Sequence, residues 1–414
     1  MVKTVAVIGG GASGMIAAGR AAELGADVHL FERNTTLGNK LLITGKGRCN
    51  ITNLSDIDNI IKNIPGNGKF LYTALNKFSN KDLIRFLNQL GLETKIERGN
   101  RVFPKSDSSK DVVDSLVKYM NKNGVKIHLG ERVKEIVADK GCVRGIKLAN
   151  NDFFYSDIII LATGGLSYPK TGSQGDGYSM ALKLGHKITP LKPSLVPLCT
   201  KEDWVKQIQG LSLRNVQVLV YYNNKKIAEE FGELLFTHFG VSGPTILTVS
   251  RKVVEYLDKE KNNPIKLIIN LKPALTLQQL DNRLQRDFIK YSRKSLKNGL
   301  IDLLPKKLIP IIIKSSMLSP VKPINQITKD ERRALLNAIF NLTLTIIDHR
   351  PIEEAIVTMG GVSVKEIDPY TLESKIIKGL YFSGEVIDID GFTGGYNLQS
   401  AFSTGYTAGS SCVD

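Results

Sequence analysis

The sequence predicts an α/β fold: a Rossmann-like dinucleotide-binding domain built from both ends of the chain and interrupted by a basic insert. Three observations predict it. The stretch VKTVAVIGGGASG (2–14) runs an apolar strand into a glycine-rich turn and then a helix. A second strand-like run ends in an acid, Glu32, 18 residues after Gly14. After LKPSLVPL (191–198) the chain changes character, and its glycine- and turn-rich style returns only near residue 352. At 414 residues it is also too long for one ordinary core, so two or three domains are expected.

The elements follow in order. Val5–Ile8 is a short apolar run bounded by glycine, which suits a buried parallel strand. Residues 12–24 form a helix rich in small side chains, and 27–32 the second strand. Residues 79–90 read as a helix because Ser79 and Asp82 make a capping box ahead of an apolar stripe of Leu83, Phe86, Leu87 and Leu90. Residues 111–120 repeat that pattern. From 125 to 160, short alternating runs suggest a small β-meander that returns to the main sheet. Residues 211–272 read as strand-rich, with RNVQVLVYY alternating and PIKLIINL continuous. Residues 276–345 read as mainly helical, with Pro305, Pro310, Pro320 and Pro323 marking breaks. The resulting domains are 1–194 with 352–414, a strand-rich insert over 195–275, and a helical insert over 276–351.

Composition narrows the chemistry. The chain starts Met-Val-Lys-Thr directly ahead of a strand, with no secretory signal, and its apolar runs fall far short of the roughly 18–20 residues of a membrane span. A cytoplasmic protein without membrane contact is expected. Cys49, Cys142, Cys199 and Cys412 are scattered without a CxxC, and the five histidines are equally dispersed. No disulfide framework, redox dithiol or metal site is expected, so redox chemistry would need an organic cofactor. His238 and His349 read as structural. Of the +16 formal charge, +11 falls in residues 201–350, densest at Arg283, Arg286, Lys290, Arg293, Lys294 and Lys297. These spacings fit a solvated helix face. Attraction of an anionic substrate is the next reading, and nucleic acid is not expected, because no interleaved aromatics suggest base stacking.

Gly9, Gly11 and Gly14 form GxGxxG between a strand and a helix. The first turns the chain, the second lets backbone approach a pyrophosphate, and the third packs helix on strand. The helix N-terminus then receives the phosphates, and Glu32 sits where a carboxylate would meet ribose hydroxyls. No second complete fingerprint exists. Instead IIILATGG (158–165) and YFSGEVIDIDG (381–391) are further strand ends where backbone can meet a dinucleotide, with Glu385 or Asp388 placed for a ribityl or pyrophosphate region. Three such sites spread over the chain suit a long FAD better than a nicotinamide cofactor. The basic, glycine-containing stretch GNKLLITGKGRCNITN (38–53) reads as a wall around the isoalloxazine ring, with Lys40 and Arg48 adding positive charge and Cys49 as a small packing residue.

The blocks VIGGGASG, TGKGRCNITN, ATGG, TGSQGDGY, LLFTHFGVSGPTIL, VTMGGV and LYFSGEVIDIDGFTGGYNLQSAFSTG, in order from residue 3 to about 410, resemble the bacterial flavoprotein family that includes aminoacetone oxidase and 3-dehydro-bile-acid Δ4,6-reductase. The resemblance implies a glutathione-reductase-type FAD domain interrupted by a β-barrel module and a helical module. It assigns Gly9, Gly11, Ala12, Ser13, Gly14, Glu32 and Arg33 to the pyrophosphate and AMP half, with Val133 on adenine and Ala162, Thr163, Gly164 and Gly165 behind. Lys40, Thr44, Gly45, Gly47, Arg48, Cys49 and Asn50 would border the flavin. Gly384, Glu385 and Asp388 would hold the ribityl chain, and Gly395, Tyr396, Asn397 and Gln399 would lie near the ring. Leu372 stands where the family suggests methionine, and residues 255–345 match only in general character, although that insert should shape the substrate pocket.

The implied activity is FAD-dependent oxidoreduction. The favoured reaction is reduction of a C=C bond conjugated to a ketone in a small organic substrate, with NADH or NADPH as transient donor. Tyr396 stands as a proton donor or as a packing aromatic, and Arg48 as a stabiliser of charge on the flavin. Alternatives are O2-dependent oxidation of a small amine such as aminoacetone, an RNA-associated flavoprotein using the basic insert, and FAD in a purely structural role.

Overall fold

The computed structural model describes residues 2–257 and 264–413. Its residues divide into two units, Met1–Pro193 with Ala355–Asp414, and Ser194–Glu354.

The first unit is organised by strand β1 (Thr4–Ile8), whose Val5–Ile8 run is buried. It pairs in parallel with β2 (Asp27–Glu32) on one side and with Ile158–Leu161 on the other. Leu380–Phe382 and Lys126–Leu129 complete a five-stranded parallel sheet at its two edges. Strands buried on both faces need continuous apolar sequence, which explains IIIL at 158–161. The run KIHL, expected within the meander, is therefore the sheet's edge strand. The meander itself comprises Val133–Asp139, Cys142–Leu148 and Phe153–Tyr155. The Ser79–Asp82 capping box opens the helix Asn80–Gln89.

Helix α1 (Ala12–Glu23) follows β1 and is almost wholly buried over residues 13–19. Its small side chains let the C-terminal helix Tyr396–Ser411 approach closely. A Cβ on Gly405 would strike the Ser13 carbonyl, and one on Gly409 the Ala17 carbonyl. Interhelical contact this close explains why the chain's end returns to its beginning.

The second unit carries a closed six-stranded barrel, in the order Leu198–Thr200, Gly240–Ser242, Lys225–Phe236, Ser212–Tyr222, Ile265–Asn270 and Leu342–His349. The last strand closes it, pairing Ile265 with Ile346 on one side and Leu198 with His349 on the other. The mainly helical stretch expected over 276–345 is present, but its end is this barrel strand. The helices are Leu277–Lys290, Leu296–Gly299, Ile309–Ser315 and Lys329–Phe340, after which LTLTIIDH alternates Leu342, Leu344 and Ile346 into the barrel core. Period-2 burial of large aliphatics is a strand signal that helical surroundings obscured. Pro310 lies inside the first turn of its helix, where its missing N–H costs nothing, so it starts that helix. No helix among the described residues is long and apolar enough to cross a membrane.

Candidate functional site

A cavity of about 1220 Å³, including its open mouth, runs across the C-terminal ends of the parallel strands in the first unit. Such crevices are where open α/β sheets bind ligands. Its floor is the turn between β1 and α1. Gly9 adopts φ +108°, and a Cβ there would press on Ala162. Gly14 is required by packing, since its Cβ would strike the Gly9 carbonyl. Gly11 is different. Its φ of −80° suits any residue, and a Cβ there would meet no protein atom within 4 Å, yet it faces the cavity. Nothing in the protein explains glycine at this position, whereas a pyrophosphate seated there does.

The α1 N-terminus supports that fit. No side chain caps it and its first turn holds no acid, so its N–H groups and dipole remain for an anion. Thr163, also on the cavity wall, has a buried hydroxyl without a hydrogen-bond partner among the described residues.

Glu32 is buried at the far end of the cavity. One carboxylate oxygen accepts from the Gly10 N–H at 2.7 Å, and the other from the Asn34 N–H at 2.9 Å and its side-chain amide at 2.6 Å. The acid thus braces the glycine turn with three of its acceptor positions and keeps one on Oε2 for a ribose hydroxyl. Arg33 and Arg132 flank it and converge on Asp176. Towards the other end, Lys40 donates to Glu385 at 2.6 Å and to Ser167 at 2.6 Å. The other Glu385 oxygen accepts from Ser167 at 2.9 Å and from the Thr358 N–H at 2.8 Å. A Cβ on Gly165 would displace that arrangement, meeting the Thr358 hydroxyl and Glu385.

Of the residues expected at the site, the cavity wall gathers Gly9, Gly11, Ala12, Ser13, Glu32, Arg33, Lys40, Thr44, Val133, Ala162, Thr163, Gly164, Glu385 and Asn397. Others stand behind it. Gly384 abuts Ser13, and its N–H donates to Thr404. Gly395 abuts the Thr52 backbone. Asp388 lies off the wall, where its carbonyl accepts from Asn67. Gln399 is fully buried and engaged by Thr52, Ser403 and the Phe78 carbonyl, and Asn397 clamps the backbone of 391–392.

Three expectations need correction. Arg48 does not reach the cavity: its guanidinium pairs with Glu97 and Asp107 and lies 4.3 Å over the Phe103 ring. Two carboxylates satisfy it there, so it is withdrawn as a stabiliser of flavin charge. Tyr396 is off the cavity wall as well, and burial raises its phenol above the ordinary value. Its place off the wall, beside Ser55, gives the proton-donor reading no support. Gly45, Gly47, Cys49 and Asn50 turn away with Arg48, in a backbone that is left-handed at Gly45, Lys46, Gly47 and Cys49. The Cys49 thiol is fully buried and pushed up to about 12 by desolvation, which removes thiolate chemistry.

The HI0933-like protein Rossmann-domain family matches residues 3–411. The chain belongs to this family. As a member of it, the protein is an FAD-dependent oxidoreductase. It is 33% identical to the 3-dehydro-bile acid Δ(4,6)-reductase of Clostridium scindens, over 99% of both chains. It is 31% identical to the ribosomal RNA dihydrouridine synthase of Escherichia coli, over 97% of this chain and 95% of that one. Among solved structures, 3-ketosteroid Δ1-dehydrogenase from Sterolibacterium denitrificans superposes with a TM-score of 0.55 at 13% identity, covering 99% of each chain. That likeness establishes the fold alone.

Sequence reasoning missed Asn34, Arg132, Ser167, Asp176 and Thr358. All but Asn34, which also bonds nearby Glu32, act only through partners distant in sequence, which no local pattern reports. The usable signal was the block TGSQGDGY, whose Asp176 opens a helix after two turns at Gly172 and Gly175.

Proposed function

We propose that this protein reduces a C=C bond conjugated to a carbonyl group, drawing its electrons from NADH or NADPH. The observation that carries the reading is a dinucleotide cavity in a chain related over its full length to two reductases that share one chemistry. A 3-dehydro bile acid with Δ4,6 unsaturation is a dienone. Dihydrouridine arises by saturating the uracil 5,6 bond, which is conjugated to a ring carbonyl. In both, a hydride and a proton add across an electron-poor alkene.

FAD, when bound, supplies the hydride chemistry. The chain's part is to hold and shield it. The α1 N-terminus and Gly11 would take the pyrophosphate, Glu32 the adenosine ribose, and the Lys40–Glu385–Ser167 group the polar middle of the cofactor. The fixed Lys40 cation, already neutralised by Glu385, orients hydroxyl groups without adding net charge. Gly384, Gly395 and Gln399 keep the wall in place from behind.

For the substrate, a 3-oxo-Δ4,6 steroid-like molecule is the first reading, supported by the 33% identity. A uracil base in RNA is the second, favoured by a specific feature of the second unit. Arg286, Arg293 and Lys297 are exposed and have no carboxylate partner among the described residues, and Lys290 and Lys294 lie 4.7 Å from the ring of Tyr291. A basic face around an aromatic ring supports binding to single-stranded RNA, with Lys290 and the Tyr291 hydroxyl held by Asp302. Oxidation of a small amine gains no comparable support.

The test is an anaerobic visible spectrum of purified protein on addition of NADH and then NADPH. Bleaching of a flavin band, with reoxidation by a dienone steroid or by uridine-containing ribosomal RNA, is expected. Flavin that neither nucleotide reduces would sink the donor assignment, and reoxidation by neither acceptor would sink the reaction.

A further inference from the structure

The block TGSQGDGY plays no part in the reading above, yet it forms one side of the cavity. Thr171, Gly172, Ser173, Gln174 and Asp176 all line it. The segment from Tyr168 to Asp176 is held in shape by left-handed backbone at Tyr168 (φ 52°), Gly172 (φ 104°) and Gly175 (φ 81°). It is fastened across the Glu32 end of the cavity by side chains from two other elements. The Asn34 amide donates to the Thr171 carbonyl at 3.0 Å, and Arg33 donates to Asp176 at 3.0 Å, both partners lying just beyond β2. From the start of the meander, Arg132 grips both Asp176 oxygens, at 3.0 and 2.8 Å.

We propose that residues 168–176 form an ionic strap over the adenosine end of the cofactor cavity, fastened by Asp176, and that its opening sets how fast FAD leaves. The inference rests on the FAD reading, which places the adenosine ribose at Glu32. Asp176 is a positioning residue: it acts by holding Arg33, Arg132 and its own loop around that end. Bidentate, charge-assisted bonds are the strong kind. These are also reachable by salt, since the side chains of Arg132, Asp176 and Arg33 are 51%, 25% and 24% exposed. A strap that is strong at low salt and screened at high salt suits a retention device better than a permanent wall.

The experiment measures FAD dissociation from holoprotein, by the return of free-flavin fluorescence, at low salt and at about 1 M salt, where the Debye length is about 3 Å. Wild type is compared with D176N and R132Q, and thermal unfolding of each apoprotein reports folding separately. The expected result is dissociation about 3- to 10-fold faster in both variants at low salt, with wild type approaching them at high salt. R132Q keeps the Arg33–Asp176 pair and the helix start, so it serves if D176N does not fold. Variants that release FAD at the wild-type rate, or keep its full salt dependence, overturn the strap alone. Wild-type protein that holds no FAD overturns the cofactor reading and the strap with it.

Discussion

Residues 39–50 fall into two halves with opposite fates. In the first, the short helix Asn39–Ile43 and Thr44 bring Lys40 to the cavity, where it meets Glu385 and Ser167 from distant parts of the chain. In the second, left-handed backbone turns the chain away, and Arg48 ends over Phe103 between Glu97 and Asp107. The two cations are eight residues apart in one basic stretch. What separates them is where the folded surroundings place carboxylates within reach. A cation near a ligand site in sequence is therefore no guide to which charge it serves.

The comparison is broken most directly from the cavity floor. Gly11→Val should leave the fold intact, because φ −80° and ψ −173° suit a β-branched residue and its Cβ would meet no protein atom within 4 Å. It should weaken FAD binding by about 100-fold, since the added methyls occupy the phosphate position. Equilibrium titration of apoprotein with FAD, beside a thermal melt, checks both halves. An unchanged affinity would mean that the pyrophosphate does not sit at α1.

Lys40→Met should be next in size. It leaves Glu385 on the cavity wall without its cation, although Ser167 and the Thr358 N–H still donate to it. FAD affinity should fall by about tenfold, or about 1.4 kcal/mol. Lys40→Arg should restore only part of it, because the longer side chain and the fixed planar fork of a guanidinium do not match a site shaped around one tetrahedral ammonium between Ser167 and Glu385. Binding unaffected by either change would place Lys40 with Arg48 as a scaffold residue.

How much of this was legible in the sequence follows the same division. β1, α1 and β2 could be read residue by residue because strand burial, the glycine turn and the Glu32 position are all local. The capping box at Ser79 was equally local. The strand Leu342–His349 was missed because its three inward aliphatics follow directly on the helix Lys329–Phe340, with only Asn341 between them. Among site residues, backbone-defined positions such as Gly9, Ala162 and Gly164 were readable, since a turn is a property of its own few residues. Long side chains were not. Arg48 and Tyr396 were assigned from proximity to a motif, whereas Arg132 and Asp176 were passed over because their partner lies 44 residues away.

The smallest effects are expected in the second half of the stretch, and they sharpen the contrast. Arg48→Gln should change FAD affinity by less than about twofold, the scale of an exposed ion pair, and shift the apparent melting temperature by no more than about 2 °C. A loss of flavin as large as that of Lys40→Met would return Arg48 to the site. Cys49 gives the companion test. With its thiol buried and its pKa pushed up to about 12, it holds almost no thiolate at neutral or mildly alkaline pH. Alkylation of native protein at about pH 8 should therefore modify the half-buried Cys142 and Cys199 first, with Cys49 and Cys412 protected until denaturant is added. Burial also raises the Cys199 thiol, so Cys142 should lead. Rapid native labelling at Cys49, read by peptide mass mapping, would show that residues 45–50 open to solvent. The left-handed turn would then be a mobile wall of the cavity rather than the fixed scaffold behind it.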